Sequence, residues 1–240
     1  MTRTWLVTGG SRGIGRAVVD HAAKSGEAVA ALARTPAPDG YAVSDQVLEV
    51  AADVTDPASV GDALEQVRAR FGSVDVVVNC AGVHRGGRVE SLTRAEWDEV
   101  LATNLTGAYE VCHAVVPMLA PGAAVVNVGA VVGFRGFPGD VAYGSAKAGL
   151  SGLTQVLAIE LAPRGIRVNL VVPGFVDTAM TAGLTDAARR RVVDAIPAGR
   201  VGTAEEIADV VVSVVAATYM TGATVPVDGG LMASLGGFGR

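Results

Sequence analysis

The chain has 240 residues, half of them hydrophobic and only 5% aromatic, and its 19 Lys+Arg against 24 Asp+Glu leave a formal charge of -5. The length suits one large α/β domain with a substantial core, and the acidic balance, with no Lys/Arg block to follow a phosphate backbone, argues against a nucleic-acid partner. Cys80 and Cys112 stand in apolar segments without metal-ligand spacing, so they read as buried thiols in a reducing compartment and no metal is expected. No stretch approaches the roughly 20 apolar residues of a membrane span, and the chain reads as soluble and cytoplasmic.

Short Val/Ala-rich runs at residues 5–8, 28–33, 47–51, 74–79, 123–128, 167–171 and 224–227 are mostly separated by segments of helical period. Their near-continuous apolarity predicts strands covered on both faces. The expectation is a doubly wound α/β Rossmann fold, a seven-stranded parallel sheet with helices on both faces, in a single domain over 1–240. Helix starts are legible where Asp56 precedes Pro57 and where Thr93, Thr185 and Thr203 precede helical runs. The helix over 142–161 is apolar or small on more than one face, which predicts burial on the sheet and against another subunit. Residues Gly236-Gly237-Phe238-Gly239-Arg240 read as a tail, free or docked on a partner.

Directly after the first strand, Thr8-Gly9-Gly10-Ser11-Arg12-Gly13-Ile14-Gly15 opens a helix. Glycines there permit a tight turn and close packing, while unpaired N–H groups and the helix dipole attract an anion such as a pyrophosphate. The competing reading is an ordinary Gly-rich turn. The spacing of Gly9, Gly13 and Gly15 resembles the Thr-Gly-x-x-x-Gly-x-Gly loop of short-chain dehydrogenases/reductases. Further family elements follow in order: Asn79-Cys80-Ala81-Gly82, Asn104, Tyr143-Gly144-Ser145-Ala146-Lys147 and Pro173-Gly174. Within the family the chain looks most like the 3-oxoacyl-acyl-carrier-protein reductase group, through Arg167-Val168-Asn169, Pro173 to Thr178, Arg200 to Thr203 and Pro226 to Gly230.

The resemblance implies a nicotinamide cofactor held by Gly9, Ser11, Arg12, Gly13, Ile14 and Gly15, by Arg34, Asp53 and Val54, by Asn79, Ala81 and Gly82, by Tyr143 and Lys147, and by Pro173, Gly174, Val176 and Thr178. The second strand ends Ala33-Arg34 with no acid to bind a free ribose hydroxyl, and Arg12 and Arg34 suit a 2′-phosphate, which favours NADP(H). Both arginines also suit a merely solvated surface. Asp53 resembles the family's adenine contact, but a turn-forming Asp before Thr55 fits its position equally well.

Tyr143 and Lys147, four apart on a helix, share one face, and the ammonium is expected to lower the phenol's pKa. Tyr143 then reads as the general acid of ketone reduction. The resemblance gives Lys147 the nicotinamide ribose and Asn104 a water chain that resupplies the proton. It also places a Ser hydroxyl thirteen residues before the Tyr, where this chain has Ala130. Three readings stay open: an inactivated Ser-to-Ala variant, an enzyme whose substrate positions its own carbonyl, or a protein that senses or sequesters a ligand without redox turnover. Residues 175–197 read as a substrate lid, and the stretches 83–88 and 134–139 as the other rims, with His84 a rim residue rather than a base. The implied substrate is a 3-oxoacyl thioester or a polyketide-like or cyclic ketone. A carrier-protein partner would need a basic patch, for which Arg85, Arg88, Arg135 and Arg164 are candidates. Family resemblance implies a homotetramer or homodimer.

Overall fold

The computed structural model describes residues 2–41, 44–183 and 185–234. Seven strands form one parallel sheet: β1 (Thr4–Thr8), β2 (Ala28–Ala33), β3 (Val47–Ala51), β4 (Val74–Asn79), β5 (Leu119–Val128), β6 (Arg167–Pro173) and β7 (Thr224–Val227). Their spatial order is β3-β2-β1-β4-β5-β6-β7. The order reverses at β1, so β1 and β4 flank the switch point where a doubly wound sheet opens a crevice beyond its carboxyl ends. The fold is the Rossmann arrangement expected from the sequence.

Among the described residues, seven α-helices accompany these strands: α1 (Gly13–Lys24), α2 (Pro57–Phe71), α3 (Arg94–Leu101), α4 (Gly107–Val115), α5 (Val141–Leu161), α6 (Asp186–Ala195) and α7 (Ala204–Ala216). Alternate strand residues feed two cores, as the two-residue period of a strand requires. Leu6, Ala30, Val77, Val125 and Val168 pack with α2, α4 and the end of α5. Trp5, Val7, Val29, Val76, Val78 and Val126 pack with α1 and α7 on the other face. Apolar residues on both faces explain why the strands read as continuous runs.

The four helix starts read from sequence are capped. Asp56 accepts from Ala58 N–H, Thr185 accepts from Ala188 N–H, and Thr93 and Thr203 close capping boxes with Glu96 and Glu206. β5 begins at Leu119, before the 123–128 run, after a register shift between Val74 and Val76 on β4. Pro121 and Gly122 in that early stretch conceal it, being poor strand residues. Asn104 lies in a π-helical turn over Ala102–Thr106 between α3 and α4, a detail that periodicity does not reveal. The tail at 236–240 lies outside the described residues.

Candidate active site

The glycine loop is built by close backbone approaches. A Cβ on Gly15 would stand 2.3 Å from the Gly9 carbonyl oxygen, and one on Gly9 would stand 2.9 Å from Ala81 Cα. Gly9 and Gly13 hold φ of +68° and +56°, a region that glycine enters without strain. Thr8 Oγ1 accepts from the N–H groups of Cys80 and Ala81 at 3.0 and 3.1 Å, tying the end of β1 to the end of β4. Arg12, the N-cap of α1, makes no side-chain cap, and the first turn carries no acid. No N-cap side chain or first-turn carboxylate therefore competes with an anion at the start of α1, although the Gly15 N–H is engaged by the Cys80 thiol. This cradle fits the pyrophosphate of a dinucleotide. Ser11 is buried, and Ile14, in the first turn of α1, packs against the core.

Arg12 and Arg34 are both exposed. Arg34 lies near enough to Asp53 to act on its charge. Partial burial raises the Asp53 carboxyl, but hydrogen bonds from Thr55 and the charge of Arg34 outweigh it and hold the group below its ordinary range. Asp53 Oδ1 accepts from Thr55 N–H at 2.9 Å and from Thr55 Oγ1 at 2.8 Å, the turn-forming role read as an alternative. Val54 is buried against Gly107. Asn79 turns its amide inward: Nδ2 donates to Asn127 Oδ1 at 2.9 Å and to Cys112 Sγ at 3.2 Å. Gly174 donates to the Val227 carbonyl, and a Cβ there would lie 2.6 Å from Asp228 Cα, which fixes the Pro173-Gly174 turn against β7. Beyond it Val176 is buried, and Thr178 lies beside Gly13.

At the reaction centre α5 carries Tyr143 and Lys147. Lys147 is 4% exposed and its Nζ donates to the Val128 carbonyl at the end of β5, 2.8 Å away. Burial pulls its pKa down to about 8. The Tyr143 ring centroid lies 5.6 Å from that Nζ. Here the structure corrects the sequence reading: burial pushes the Tyr143 phenol above its ordinary range, the charges of Cys80 and Asp140 push the same way, and Lys147 does not offset them. The ammonium faces the ring and spends one proton on Val128, so the chain by itself keeps the phenol protonated. Asn104 Nδ2 donates to the carbonyls of Val83 and Val100 at 2.8 and 2.9 Å, while its buried Oδ1 has no partner among the described residues and stands 2.7 Å from where a Gly82 Cβ would be. That free acceptor suits a water chain, and Gly82 keeps it unblocked.

Ala130, 9% exposed, leads a short turn over Val131–Gly133. This turn packs on α5, where Cβ atoms on Gly133 and Gly144 would stand 2.7 Å from Ala148 N and 3.0 Å from the Val132 carbonyl oxygen. Position 130 thus stands at the head of the turn that packs on α5, with a methyl group and no hydroxyl. Ser145 donates to the Val141 carbonyl within its own helix.

The two expected rims meet. Gly87 N–H donates to the Gly139 carbonyl at 2.8 Å, and Gly87 and Asp140 form an isolated parallel bridge. His84 Nε2 lies 2.7 Å from Asp140 Oδ1, and its ring stands edge-on to Tyr143 with centroids 5.2 Å apart. The sequence reading missed this pair because 56 residues separate its members; its one signal was a carboxylate at the N-cap of the helix that carries Tyr143. Thr8 was also missed, although it opens the glycine motif. Of the four basic candidates, Arg85 pairs with Glu99, Arg164 donates to the Val116 and Leu119 carbonyls, and Arg135 donates to the Leu231 carbonyl. A cavity of about 100 Å³ lined by Phe175, Ile196, Ile207, Val227 and Asp228 lies apart from the glycine loop, Tyr143 and Lys147.

Comparison with known proteins agrees with this geometry. The family model described as enoyl-(acyl carrier protein) reductase matches residues 9–232. The 3-oxoacyl-(acyl-carrier-protein) reductase FabG of Escherichia coli (strain K12) is 41% identical over 234 residues, covering 94% of this chain and 96% of the relative. The FabG of Haemophilus influenzae is 39% identical, covering 95% and 98%. Among solved structures, a short-chain dehydrogenase/reductase from Serratia marcescens superposes with a TM-score of 0.90 at 34% identity, covering 96% of this chain and 98% of its own. The aldohexose dehydrogenase of Thermoplasma acidophilum superposes with a TM-score of 0.89 at 27% identity, covering 97% and 95%.

Proposed function

Since the chain belongs to the short-chain dehydrogenase/reductase family, we propose that it is an NADPH-dependent reductase of a 3-oxoacyl thioester or a polyketide-like or cyclic ketone. The observation that carries this reading is the pairing of Tyr143 with buried Lys147 one turn along α5, the Lys147 Nζ 5.6 Å from the Tyr143 ring centroid, at the end of the crevice that the glycine loop opens. Tyr143 is protonated at neutral pH, the state a proton donor must start from, and its upward shift is one that the positive charge of a bound oxidised nicotinamide would offset. The reading follows the carbonyl reduction named for the relatives rather than the enoyl reduction in the family description, because those relatives match over nearly their whole length.

In the proposed mechanism the first turn of α1 binds the pyrophosphate, and Arg12 and Arg34 grip the 2′-phosphate. NADPH supplies the hydride when bound. Lys147 orients the nicotinamide ribose, Tyr143 Oη gives its proton to the carbonyl oxygen, and Asn104 Oδ1 anchors the water that returns it. Residues 175–197 act as the lid: α6 buries none of its residues, while Thr181 Oγ1 bonds to the Val176 and Thr178 carbonyls and pins the hinge. The chain assembles as a homotetramer or homodimer through α4 and α5, on which Tyr109, Val156 and Ile159 remain 48%, 53% and 77% exposed. A carrier-bound substrate is compatible with Arg88 at the rim. The test compares NADPH and NADH oxidation over a panel of 3-oxoacyl thioesters and cyclic ketones. Turnover that prefers NADPH supports the reading; tight NADPH binding without turnover on any ketone overturns it.

A further inference from the structure

With Ala130 the site lacks a hydroxyl that holds the substrate carbonyl, yet a second polar pair stands beside Tyr143. His84 follows β4 in the loop whose Val83 carbonyl is held by Asn104, and Arg85 Nη1 donates to the His84 carbonyl. Gly86 leaves room for the ring, since a Cβ there would approach His84 Cε1 to 3.3 Å. The Gly87–Gly139 hydrogen bond then brings His84 to Asp140. Asp140 is the more enclosed partner, with its side chain 16% exposed against 35% for His84. The other ring nitrogen, Nδ1, has no hydrogen-bond partner among the described residues.

We infer that His84, held at Nε2 by Asp140, donates a hydrogen bond from Nδ1 to the substrate carbonyl oxygen and takes the place of the hydroxyl absent at position 130. The inference rests on the reductase reading and adds the donor that this reading lacks. In the step, the carbonyl carbon gains the hydride with its electron pair, the π pair moves to oxygen, and that oxygen takes the proton of Tyr143 Oη. His84 keeps its proton and stabilises the developing charge, as a preorganised donor does. With Nε2–H committed to Asp140, Nδ1 donates only when both nitrogens carry hydrogen, so the contribution belongs to the imidazolium. The groups that face the ring are Asp140 at the N-cap of α5, Tyr143 from α5 and Arg85 from its own loop, the last neutralised by Glu99 of α3. Cys80 and Lys147 lie behind Tyr143.

The experiment is a double-mutant cycle of His84→Ala and Ala130→Ser, read as kcat/KM on the best ketone of the panel across pH, with NADPH affinity by fluorescence as the check on folding. Expected are a loss of about 100-fold in His84→Ala, recovery of at least about tenfold on adding Ala130→Ser, a change below about tenfold in Ala130→Ser alone, and unchanged NADPH affinity. Turnover that His84→Ala retains, or a gain of about 100-fold in Ala130→Ser alone, overturns the inference and leaves the reductase standing. Absence of turnover in every variant overturns both. Loss of NADPH affinity in His84→Ala assigns the residue to structure and overturns the donor role.

Discussion

At the scale of single residues, burial decides the chemistry. Lys147 titrates at about 8 in the fold against an ordinary 10.5, with burial as the main cause. Between those values the unfolded chain binds more protons than the folded one, so folding stability rises with pH across that window, by roughly 3 kcal/mol from this group. Urea unfolding at pH 7 and pH 10 should show a more positive stability change in the parent chain than in Lys147→Met, because the buried Cys80 and Cys112 thiols, raised to about 11, oppose the rise equally in both; parallel profiles would count against it. The Tyr/Lys spacing was legible in the sequence because helix geometry fixes which residues share a face. The direction of the Tyr143 shift was not, because it depends on enclosure by Cys80 and Asp140, which arrive from other segments.

Elements position those residues through approaches that only glycine allows. Gly15→Ala places a methyl group 2.3 Å from the Gly9 carbonyl oxygen, so the loop must shift; NADPH affinity should fall at least tenfold on the order of 1.4 kcal/mol, measured by fluorescence titration, while the helical circular dichroism persists. The Thr203 capping box at the start of α7 offers a contrast. Thr203→Ala should cost about 1 kcal/mol in denaturant unfolding and leave the kinetics unchanged. Caps and glycine loops were readable because they are local. The β5 extension, the π turn at Asn104 and the His84–Asp140 pair were not, since each arises where distant chain segments press together.

Across the whole molecule, the strand order makes the site: reversal at β1 opens the crevice, and β4, β5 and β6 deliver the loops that line it. Apolarity on both strand faces announced that architecture, whereas nothing local announced which loops would meet. The exposed Ile159 and Val156 of α5 lie on the proposed subunit contact; Ile159→Arg should lower the mass found by sedimentation to that of a smaller species, and an unchanged assembly would exclude that face. The central claim is proton donation by Tyr143 during ketone reduction. Single-turnover mixing of the NADPH-loaded chain with ketone tests it most directly. The account predicts rapid NADPH oxidation by the parent and a loss of about 10² to 10⁴ in rate for Tyr143→Phe at equal NADPH affinity; equal rates in the two would contradict it.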